Sequence, residues 1–364
     1  HQPSKFYLYS MKPDIINVDG CPLFLDQELS HFKAFLANRS YSSYIILGDE
    51  NTIHYCYPLI RDLCPSDTHV LKFPAGESQK NITTCSNIWQ QLLELKVDRK
   101  SLVILLGGGV VGDMGGFIAS TYKRGLDFVH MPTTLMSMTD SSIGGKLGID
   151  YDHVKNAVGL FRNSKAVFIH LPFLQTLSDE EMRSGYSEIV KHALIANSVL
   201  FKLLQAQTSS SRPLINTELL YQSILVKKTL VERDPFESSV RKALNFGHTI
   251  GHAIESYKLK HEQPITHGEA VAFGMIAETY LSYKTGLILK DHHEQIQHFL
   301  KSICDTSRIR DIDLDEVFNY LQHDKKNESG KILFSLLNGI GSFSINKYIP
   351  NRLIRESMGY LTNQ

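Results

Sequence analysis

Short apolar runs alternate with amphipathic stretches through the first half of the chain. Residues 44–47, 102–106 and 128–131 are typical of buried strands, because each run is rich in aliphatic side chains and is bounded by Gly, Asp or Pro. Between the first two runs, residues 87–96 carry apolar side chains at helical spacing. Strands that alternate with helices predict an α/β domain with a mainly parallel sheet.

The pattern changes after another apolar run at residues 166–170. Ser178, followed by three acidic residues, is a good helix N-cap, and long helical periodicities continue from it to about Tyr320. Only residues 331–348 return to strand-like alternation. We therefore predict an α/β domain over residues 1–177 and a largely α-helical domain with a short β-hairpin over residues 178–364.

Composition excludes several classes of protein. The 364 residues carry 38 Lys plus Arg and 38 Asp plus Glu, so no net charge draws the chain to nucleic acid or to an anionic membrane. The apolar stretch 102–118 is interrupted by Asp113 and several glycines, which excludes a membrane span. Five scattered cysteines without a CxxC pair, and a start that lacks the apolar region of a signal peptide, predict a cytoplasmic protein without disulfides.

A glycine-rich segment follows the most apolar of the predicted strands. Gly107, Gly109 and Gly112 satisfy the pattern G-x-G-x-x-G, in which glycines let the backbone approach a pyrophosphate at a helix N-terminus. Alone, the pattern is equally compatible with a tight strand-to-helix turn, and it does not lie in the first βα unit as in a standard Rossmann domain. Polar residues at 48–51 and 132–134 follow two other predicted strands and favour a nucleotide site.

Two histidines lie one helical turn apart in apolar surroundings. Residues at i and i+4 share one helix face, so His248 and His252 can present both imidazoles to one small volume, with a third at His267. Glu188, in an apolar helix, can supply a carboxylate to such a metal site. The simpler alternatives are a packed histidine pair and an ordinary helical ion pair between Glu188 and Lys191.

Small residues surround charged ones at 140–146 and 155–159. Asp140, Lys146 and Lys155 suit a loop that folds over a compact anionic ligand, because lysine supplies a point charge to phosphate or carboxylate. Taken singly, the two lysines are compatible with solvated surface charges and Asp140 with a turn residue.

Together these segments resemble the 3-dehydroquinate synthase family over residues 49–341. The matching motifs, in order, are 74–77 with Lys80, 107–113, 140–148, 155–156, 185–191, 241–255, 267–269 and 324–326. The resemblance implies an N-terminal α/β nucleotide-binding domain, a largely helical metal- and substrate-binding domain, and an active site in the cleft between them.

The resemblance also implies a reaction. The family converts the sugar phosphate 3-deoxy-D-arabino-heptulosonate 7-phosphate to 3-dehydroquinate and phosphate. NAD⁺ oxidises the C5 alcohol transiently, phosphate leaves by β-elimination, NADH returns the hydride, and ring opening and an intramolecular aldol step close the carbocycle. The implied cofactors are NAD and a Zn²⁺ or Co²⁺ ion acting as a Lewis acid.

Site residues follow from the resemblance position by position. It implies metal ligands at Glu188, His248 and His267, and it implies that His252 faces the substrate phosphate instead of the metal. The groups implied to act in catalysis are Asp140, Lys146, Lys191, Lys227 and His252. Those implied to bind the substrate are Arg124, Lys146, Asn156, Arg241, Asn245, His252 and one of Lys325 and Lys326. Those implied to bind NAD are Asp49, Asn51, Glu77, Lys80, Gly109, Val110, Asp113, Thr133, Thr134, Lys155 and Thr176. Arg124 matches an arginine that a partner subunit lends, which implies a homodimer.

Three other interpretations remain open at this stage. Related sugar phosphate cyclases make valiolone-type or inosose rings, and iron-dependent polyol dehydrogenases share the outline of the scaffold. A dehydrogenase has no phosphate to expel and no need for Lys146, Lys227 and Arg241. A cyclase whose substrate lacks a carboxylate would not need Arg241 with Asn245. An NAD-binding regulatory module would not explain a three-ligand metal site beside two anion pockets.

Overall fold

The computed structural model describes residues 15–152, 154–207, 212–322 and 332–363. The strands are β1 (Ile15–Val18), β2 (Cys21–Leu25), β3 (Tyr44–Asp49), β4 (His69–Phe73), β5 (Leu102–Gly107), β6 (Asp127–Pro132), β7 (Lys146–Tyr151), β8 (Val154–Phe161), β9 (Val167–Ile169), β10 (Leu333–Leu337) and β11 (Phe343–Tyr348). The helices are α1 (Ser30–Ala37), α2 (Glu50–Tyr55), α3 (Ile82–Glu94), α4 (Gly109–Thr121), α5 (Asp179–Ala196), α6 (Ser198–Gln205), α7 (Thr217–Arg233), α8 (His248–Lys260), α9 (His267–Lys284), α10 (Lys290–Ile303), α11 (Leu314–Gln322) and α12 (Asn351–Thr362). Short helical turns lie at Tyr57–Leu59, Arg61–Leu63, Glu77–Gln79, Tyr122–Arg124, Ser137–Ser141, Leu171–Thr176, Val240–Asn245 and Thr306–Ile309.

Seven strands of the first half form one sheet in the order β1-β2-β9-β6-β5-β3-β4. Every neighbouring pair except β1–β2 runs parallel. All six residues of β5 are buried, as expected for a parallel strand that is covered on both faces. The predicted strands at 44–47, 102–106 and 128–131 correspond to β3, β5 and β6, which confirms the mainly parallel α/β fold, and the apolar run at 166–170 contains β9.

Alternate residues of the sheet enter two different apolar cores. Val103 and Leu105 of β5 pack with residues of α3 and α4, such as Ile88 and Met114. Ile104, on the other face, belongs to a core that continues without interruption into α5, α8 and α9. The sheet and the helical half are therefore held together by shared apolar packing, which stabilises roughly in proportion to the area buried.

The second half is built around α9, which is buried along most of its length. Helices α5, α8, α10 and α12 pack against it, and β10 and β11 form a short antiparallel hairpin beside it. The predicted helix start is confirmed, because the Ser178 hydroxyl accepts a hydrogen bond from Glu181 N at 3.2 Å. The domain boundary near Leu177 stays a prediction. None of the described helices is both long and apolar enough to cross a bilayer.

Residues 146–161 differ from the loop predicted over an anionic ligand. They form an antiparallel ribbon in which β7 pairs with β8, with Gly148 opposite Gly159. Nearly all of β8 is exposed, so its sequence lacks the alternation of apolar and polar residues by which a half-buried strand is recognised. The pairing of β1 with β2, and of β2 with β9, was likewise not predicted.

Candidate active site

Most of the residues predicted to bind NAD follow the carboxyl ends of the parallel strands. Ligands of open α/β sheets bind at this edge, where the strand order reverses. Here the order reverses between β3 and β5, since the chain passes from β3 outward to β4 and then back to β5 and β6. The residues brought to this edge are Asp49 and Asn51 after β3, Glu77 and Lys80 after β4, Gly109, Val110 and Asp113 after β5, Thr133 and Thr134 after β6, and Thr176 after β9.

The glycine-rich segment forms the predicted strand-to-helix turn. Helix α4 begins at Gly109, two residues after the end of β5, and no side chain caps its first turn. Its first N–H groups can therefore bind an anion, which the helix dipole favours. The turn is tightly packed, because a Cβ on Gly107 would overlap the Val111 side chain and one on Gly108 would lie 3.0 Å from Thr134 Cγ2.

Lys80 forms a buried polar cluster beside this turn. Its Nζ donates to Asp113 Oδ2 and to Asn156 Oδ1, both at 2.7 Å. Burial opposes the charged form of Lys80, but Asp113 raises the pKa of the lysine above its usual value. Burial also raises the pKa of Asp113 despite the contact with Lys80. Asn156, predicted from the resemblance to lie in the phosphate pocket, thus contacts the nucleotide side of the site.

Two other predicted NAD residues have partners within the fold. Asp49 caps α2, since its Oδ1 accepts a hydrogen bond from Thr52 N at 2.8 Å. Thr176 donates its hydroxyl hydrogen to Phe173 O at 2.8 Å. These contacts explain the local conformation of both residues, and their role toward NAD stays a prediction.

Three imidazoles and one carboxylate converge in the helical half. The ring centroids of His248, His252 and His267 lie 5.2 to 5.4 Å apart. Glu188 Oε1 lies 3.6 Å from His248 Nε2 and 3.9 Å from His267 Nε2. The three histidines can also bring ligand atoms within 4.8 Å of one another, so the geometry alone allows either His252 or Glu188 as the third ligand.

Glu188 provides the test of whether a metal ion fits. Its side chain is 2% exposed, and its Oε1 is buried and accepts no hydrogen bond from any described residue. Its Oε2 contacts Lys191 Nζ. A buried carboxylate oxygen without a partner costs free energy that a cation at this position would offset. The residues present therefore fit a divalent ion held by imidazole nitrogen and carboxylate oxygen, the donors that zinc accepts.

Close helix packing brings these side chains together. A Cβ on Gly268, next to His267, would overlap the Ser184 carbonyl oxygen, so only glycine lets the start of α9 approach α5. The start of α8 is held by a buried carboxylate, because Glu278 of α9 accepts hydrogen bonds from Gly247 N at 2.6 Å and Ile250 N at 3.1 Å. These two contacts hold in place the first turns of α9 and α8, where His267 and His248 lie.

A second polar cluster adjoins Glu188. Asp140, Glu188 and His192 can bring ligand atoms within 4.8 Å of one another, and Asp140 Oδ1 accepts a hydrogen bond from Lys227 Nζ at 2.6 Å. Burial opposes ionisation of Asp140, but Lys227 and Lys191 hold its pKa well below the usual value. The two ammonium groups would repel a metal ion, which favours the histidine side of Glu188.

Lys146 and Asn245, both predicted to bind the substrate, contact an acidic residue that the sequence did not reveal. Glu237 Oε1 accepts a hydrogen bond from Asn245 Nδ2 at 2.9 Å, and its Oε2 contacts Lys146 Nζ. Arg241 is fully buried, donates to Pro235 O at 2.5 Å, and has an Nε that donates to no described residue. The position of Glu237, four residues before Arg241, was a sequence signal that could have identified it, because a dense group of cationic side chains needs a nearby negative charge.

Arg124, Lys325 and Lys326 are the other residues that were predicted to bind the substrate. Arg124 is exposed on the turn Tyr122–Arg124 after α4, with a φ of 68°. Lys325 and Lys326 lie outside the described residues.

The turn Ser137–Ser141 connects the two halves of the site. A Cβ on Gly109 would lie 3.5 Å from Ser141 Oγ, so the turn touches the start of α4. One residue earlier, Asp140 lies beside Glu188 and Lys227 of the helical half. The glycine turn and the imidazole cluster therefore border one common site between the halves.

Solved structures with this architecture include sugar phosphate cyclases, and glycerol dehydrogenases share the fold with lower TM-scores of 0.58 and 0.61. One structure is titled as 2-deoxy-scyllo-inosose synthase complexed with carbaglucose-6-phosphate, NAD⁺ and Co²⁺; it is 25% identical, covers 94% of this chain and 98% of its own, and superimposes with a TM-score of 0.80. A 2-epi-5-epi-valiolone synthase from Streptomyces hygroscopicus, solved with NAD⁺ and Zn²⁺, shares the fold at 23% identity, with 98% and 99% coverage and a TM-score of 0.74. The fold is that of a sugar phosphate cyclase.

Sequence relatives narrow this class further. The family models described as 3-dehydroquinate synthase N-terminal and C-terminal match residues 70–184 and 185–327. A 3-dehydroquinate synthase of Parabacteroides distasonis is 39% identical over 91% of this chain and 94% of its own length. The chain belongs to the 3-dehydroquinate synthase family, as the sequence motifs predicted.

Proposed function

We propose that this protein is a phosphate-eliminating carbon–oxygen lyase that converts 3-deoxy-D-arabino-heptulosonate 7-phosphate to 3-dehydroquinate and phosphate. The proposal rests mainly on the turn Ser137–Ser141. This turn contacts the glycine-rich turn that could bind a nucleotide, and its Asp140 lies beside the cationic residues and beside Glu188 of the possible metal site. Membership in the family supplies the reaction, and the local chemistry of the residues supports each part.

The cationic residues suit an anionic substrate. Lys146 and Asn245 contact the Glu237 carboxylate, and a substrate carboxylate or phosphate that displaced this carboxylate would find the same two donors. Arg241 adds a buried Nε–H without a partner among the described residues. These residues would bind and orient the substrate between the nucleotide turn and Glu188.

Glu188, His248 and His267 would hold a Zn²⁺ or Co²⁺ ion, and the carboxyl edge of the sheet would hold NAD. Bound there, NAD⁺ supplies a hydride acceptor and the metal ion a Lewis acid for vicinal hydroxyls. Lys227 keeps Asp140 ionised and ordered beside the same position. His252, on the same face of α8 as His248, would donate a hydrogen bond or a proton to the departing phosphate.

We further propose a homodimer in which Arg124 reaches the active site of the partner. The residue is exposed at the end of α4, where it is available to a second copy of the chain. We also propose that the protein is cytoplasmic. All five cysteines are free thiols, as is usual in a reducing compartment.

A polyol dehydrogenase is the alternative function. It would use the metal ion and NAD⁺ but would have no phosphate to expel, so Lys146, Lys227 and Arg241 argue against it. The test is to incubate the purified protein with NAD⁺ and Zn²⁺, and either the heptulosonate phosphate or glycerol. We expect phosphate release from the first substrate and no NADH from the second. NADH from glycerol without phosphate release from the sugar phosphate would favour the dehydrogenase.

A further inference from the structure

The His267 imidazole lies between two carboxylates. Its Nε2 faces Glu188 Oε1 at 3.9 Å, and its Nδ1 lies 3.3 Å from Glu255 Oε2. Glu255 belongs to α8, one helical turn after His252. The side chain of Glu255 is 16% exposed, so this carboxylate is mostly buried beside the ring.

This arrangement selects one tautomer of the ring. A carboxylate accepts hydrogen bonds, so the Glu255 contact places the hydrogen of His267 on Nδ1 and leaves the Nε2 lone pair directed toward Glu188. His248 is held in the same way, because its Nδ1 lies 3.1 Å from Phe246 O while its Nε2 faces Glu188 at 3.6 Å. Metal-binding histidines typically have such a partner on the other ring nitrogen.

The second oxygen of Glu255 is anchored from the other half of the molecule. Lys155 Nζ, on β8, donates to Glu255 Oε1 at 2.9 Å. The next residue of that strand, Asn156, accepts a hydrogen bond from Lys80 beside the nucleotide turn. Glu255 is therefore held from both sides, by His267 in the helical half and by Lys155 in the sheet half.

We propose that Glu255 is a positioning residue, which orients His267 for metal binding and is itself held in place by Lys155. The inference rests on the proposed function only in taking His267 as a metal ligand. It assigns a role at the metal site to Glu255, which is not itself a ligand. Through Lys155 it also connects the metal site to the β7–β8 ribbon.

The test measures affinity for Zn²⁺ by competition with a chromogenic chelator, without substrate or turnover. We expect Glu255→Ala to weaken Zn²⁺ binding by about 10- to 100-fold, the usual effect of removing such a partner. Glu255→Gln should weaken it less, because the amide oxygen still accepts the Nδ1 hydrogen bond. Lys155→Met should weaken it severalfold, since Glu255 then loses its second contact.

Glu316→Gln is the matched control. Glu316 also joins a lysine and a histidine, with Lys260 Nζ at 2.9 Å and His261 Nε2 at 3.0 Å, but it lies away from the imidazole cluster. This variant should bind Zn²⁺ as the wild type does. The visible spectrum of the Co²⁺-loaded protein, which reports ligand geometry, should change in both Glu255 variants and not in the control.

Wild-type Zn²⁺ affinity in both Glu255 variants would overturn the inference, even in a protein that makes 3-dehydroquinate. Wild-type affinity in Lys155→Met alone would overturn the anchoring by Lys155. Conversely, a protein that releases no phosphate would contradict the proposed reaction while leaving the effect of Glu255 on metal affinity intact.

Discussion

Glu188 is the residue on which the proposed metal site depends. It lies between the imidazoles of α8 and α9 on one side and the Asp140–Lys227 pair on the other. Because its Oε1 is buried and accepts no hydrogen bond from any described residue, an ion at the imidazoles would relieve a desolvation cost already present in the fold. A site of three histidines would leave this oxygen unsatisfied, which favours Glu188 over His252 as a ligand.

The two histidines of α8 can be separated by metal analysis. We predict that His248→Ala loses bound metal and activity together, because a ligand is removed. His252→Ala should retain metal and lose rate, because a proton donor for the leaving phosphate is removed. Metal content of the purified variants by mass spectrometry is the measurement. Equal metal loss in both variants would contradict the assignment of His252.

His130 should make the fold sensitive to acid. The ring is 5% exposed on β6, and burial lowers its pKa to about 4 from 6.5. Below pH 6.5 the unfolded chain binds a proton that the folded chain resists, so stability is intact above pH 6.5 and is lost as the pH falls toward 4. At pH 4.5 this loss amounts to roughly 2 to 3 kcal/mol.

Urea unfolding from pH 7.5 to 4.5, compared between the wild type and His130→Gln, isolates this contribution. The variant cannot titrate at this position, so the wild type should lose more stability than the variant over the range. Parallel pH profiles would mean that His130 does not sense acid.

At the scale of single residues, the family motifs predicted the convergence of His248, His267 and Glu188, whereas helical spacing alone related His248 only to His252. They did not reveal Glu237 or Glu255. These acids act by contacts across 8 to 100 positions of sequence, such as Glu237 with Asn245 and Glu255 with Lys155. No local periodicity encodes such contacts, so only the three-dimensional structure brings them together.

At the scale of elements, the close approach of α5 and α9 sets the distance between His267 and Glu188, two ligands of the proposed metal site. We predict that Gly268→Ala destabilises the fold by about 2 kcal/mol or more, because the added methyl meets backbone that cannot move aside. Separation of the helices would also move His267 from Glu188, so Zn²⁺ affinity should fall. Thermal unfolding and chelator competition measure both effects.

Gly359→Ala is the control for helix propensity. Gly359 lies within α12, and a Cβ there would meet nothing within 4 Å. This change should stabilise the protein by about 0.5 to 1 kcal/mol, since alanine favours a helix over glycine. If Gly268→Ala matched this control, close packing of α5 on α9 would not be required.

Buried elements were predicted well from the sequence, and exposed ones were not. Strands β3, β5 and β6 are buried at nearly every position and mainly apolar, while Ser178 marks the start of α5 by its side chain. The β7–β8 ribbon escaped prediction because β8 is exposed along nearly its whole length. Its contacts with Glu255 and Lys80 are long-range and leave no local pattern.

At the scale of the whole molecule, the two halves share an apolar core and border one site. Sequence patterns predicted that the first half is α/β and the second half mainly helical. That the two halves meet at one active site was predicted only from the family resemblance. The turn Ser137–Ser141 and the Lys155–Glu255 pair now give this juxtaposition a physical basis, since each touches both halves.

The proposed homodimer predicts complementation between two inactive variants. Arg124→Ala would lack the residue proposed to reach the partner, and His248→Ala would lack a proposed metal ligand of its own site. A mixed dimer would contain one complete site, so random co-assembly should restore about one quarter of wild-type activity. Each variant alone gives the background. Activity of the mixture no higher than this background would contradict the lending of Arg124.

The most direct test of the proposed reaction is its stoichiometry under limiting cofactor. The metal-loaded protein is incubated with excess 3-deoxy-D-arabino-heptulosonate 7-phosphate and less than one equivalent of NAD⁺, and phosphate, 3-dehydroquinate and NADH are quantified. Because the hydride returns within each cycle, we predict equal amounts of phosphate and 3-dehydroquinate, far above the NAD⁺ supplied, without accumulation of NADH. Product limited to the amount of NAD⁺, with matching NADH, or no phosphate release would contradict a cyclase.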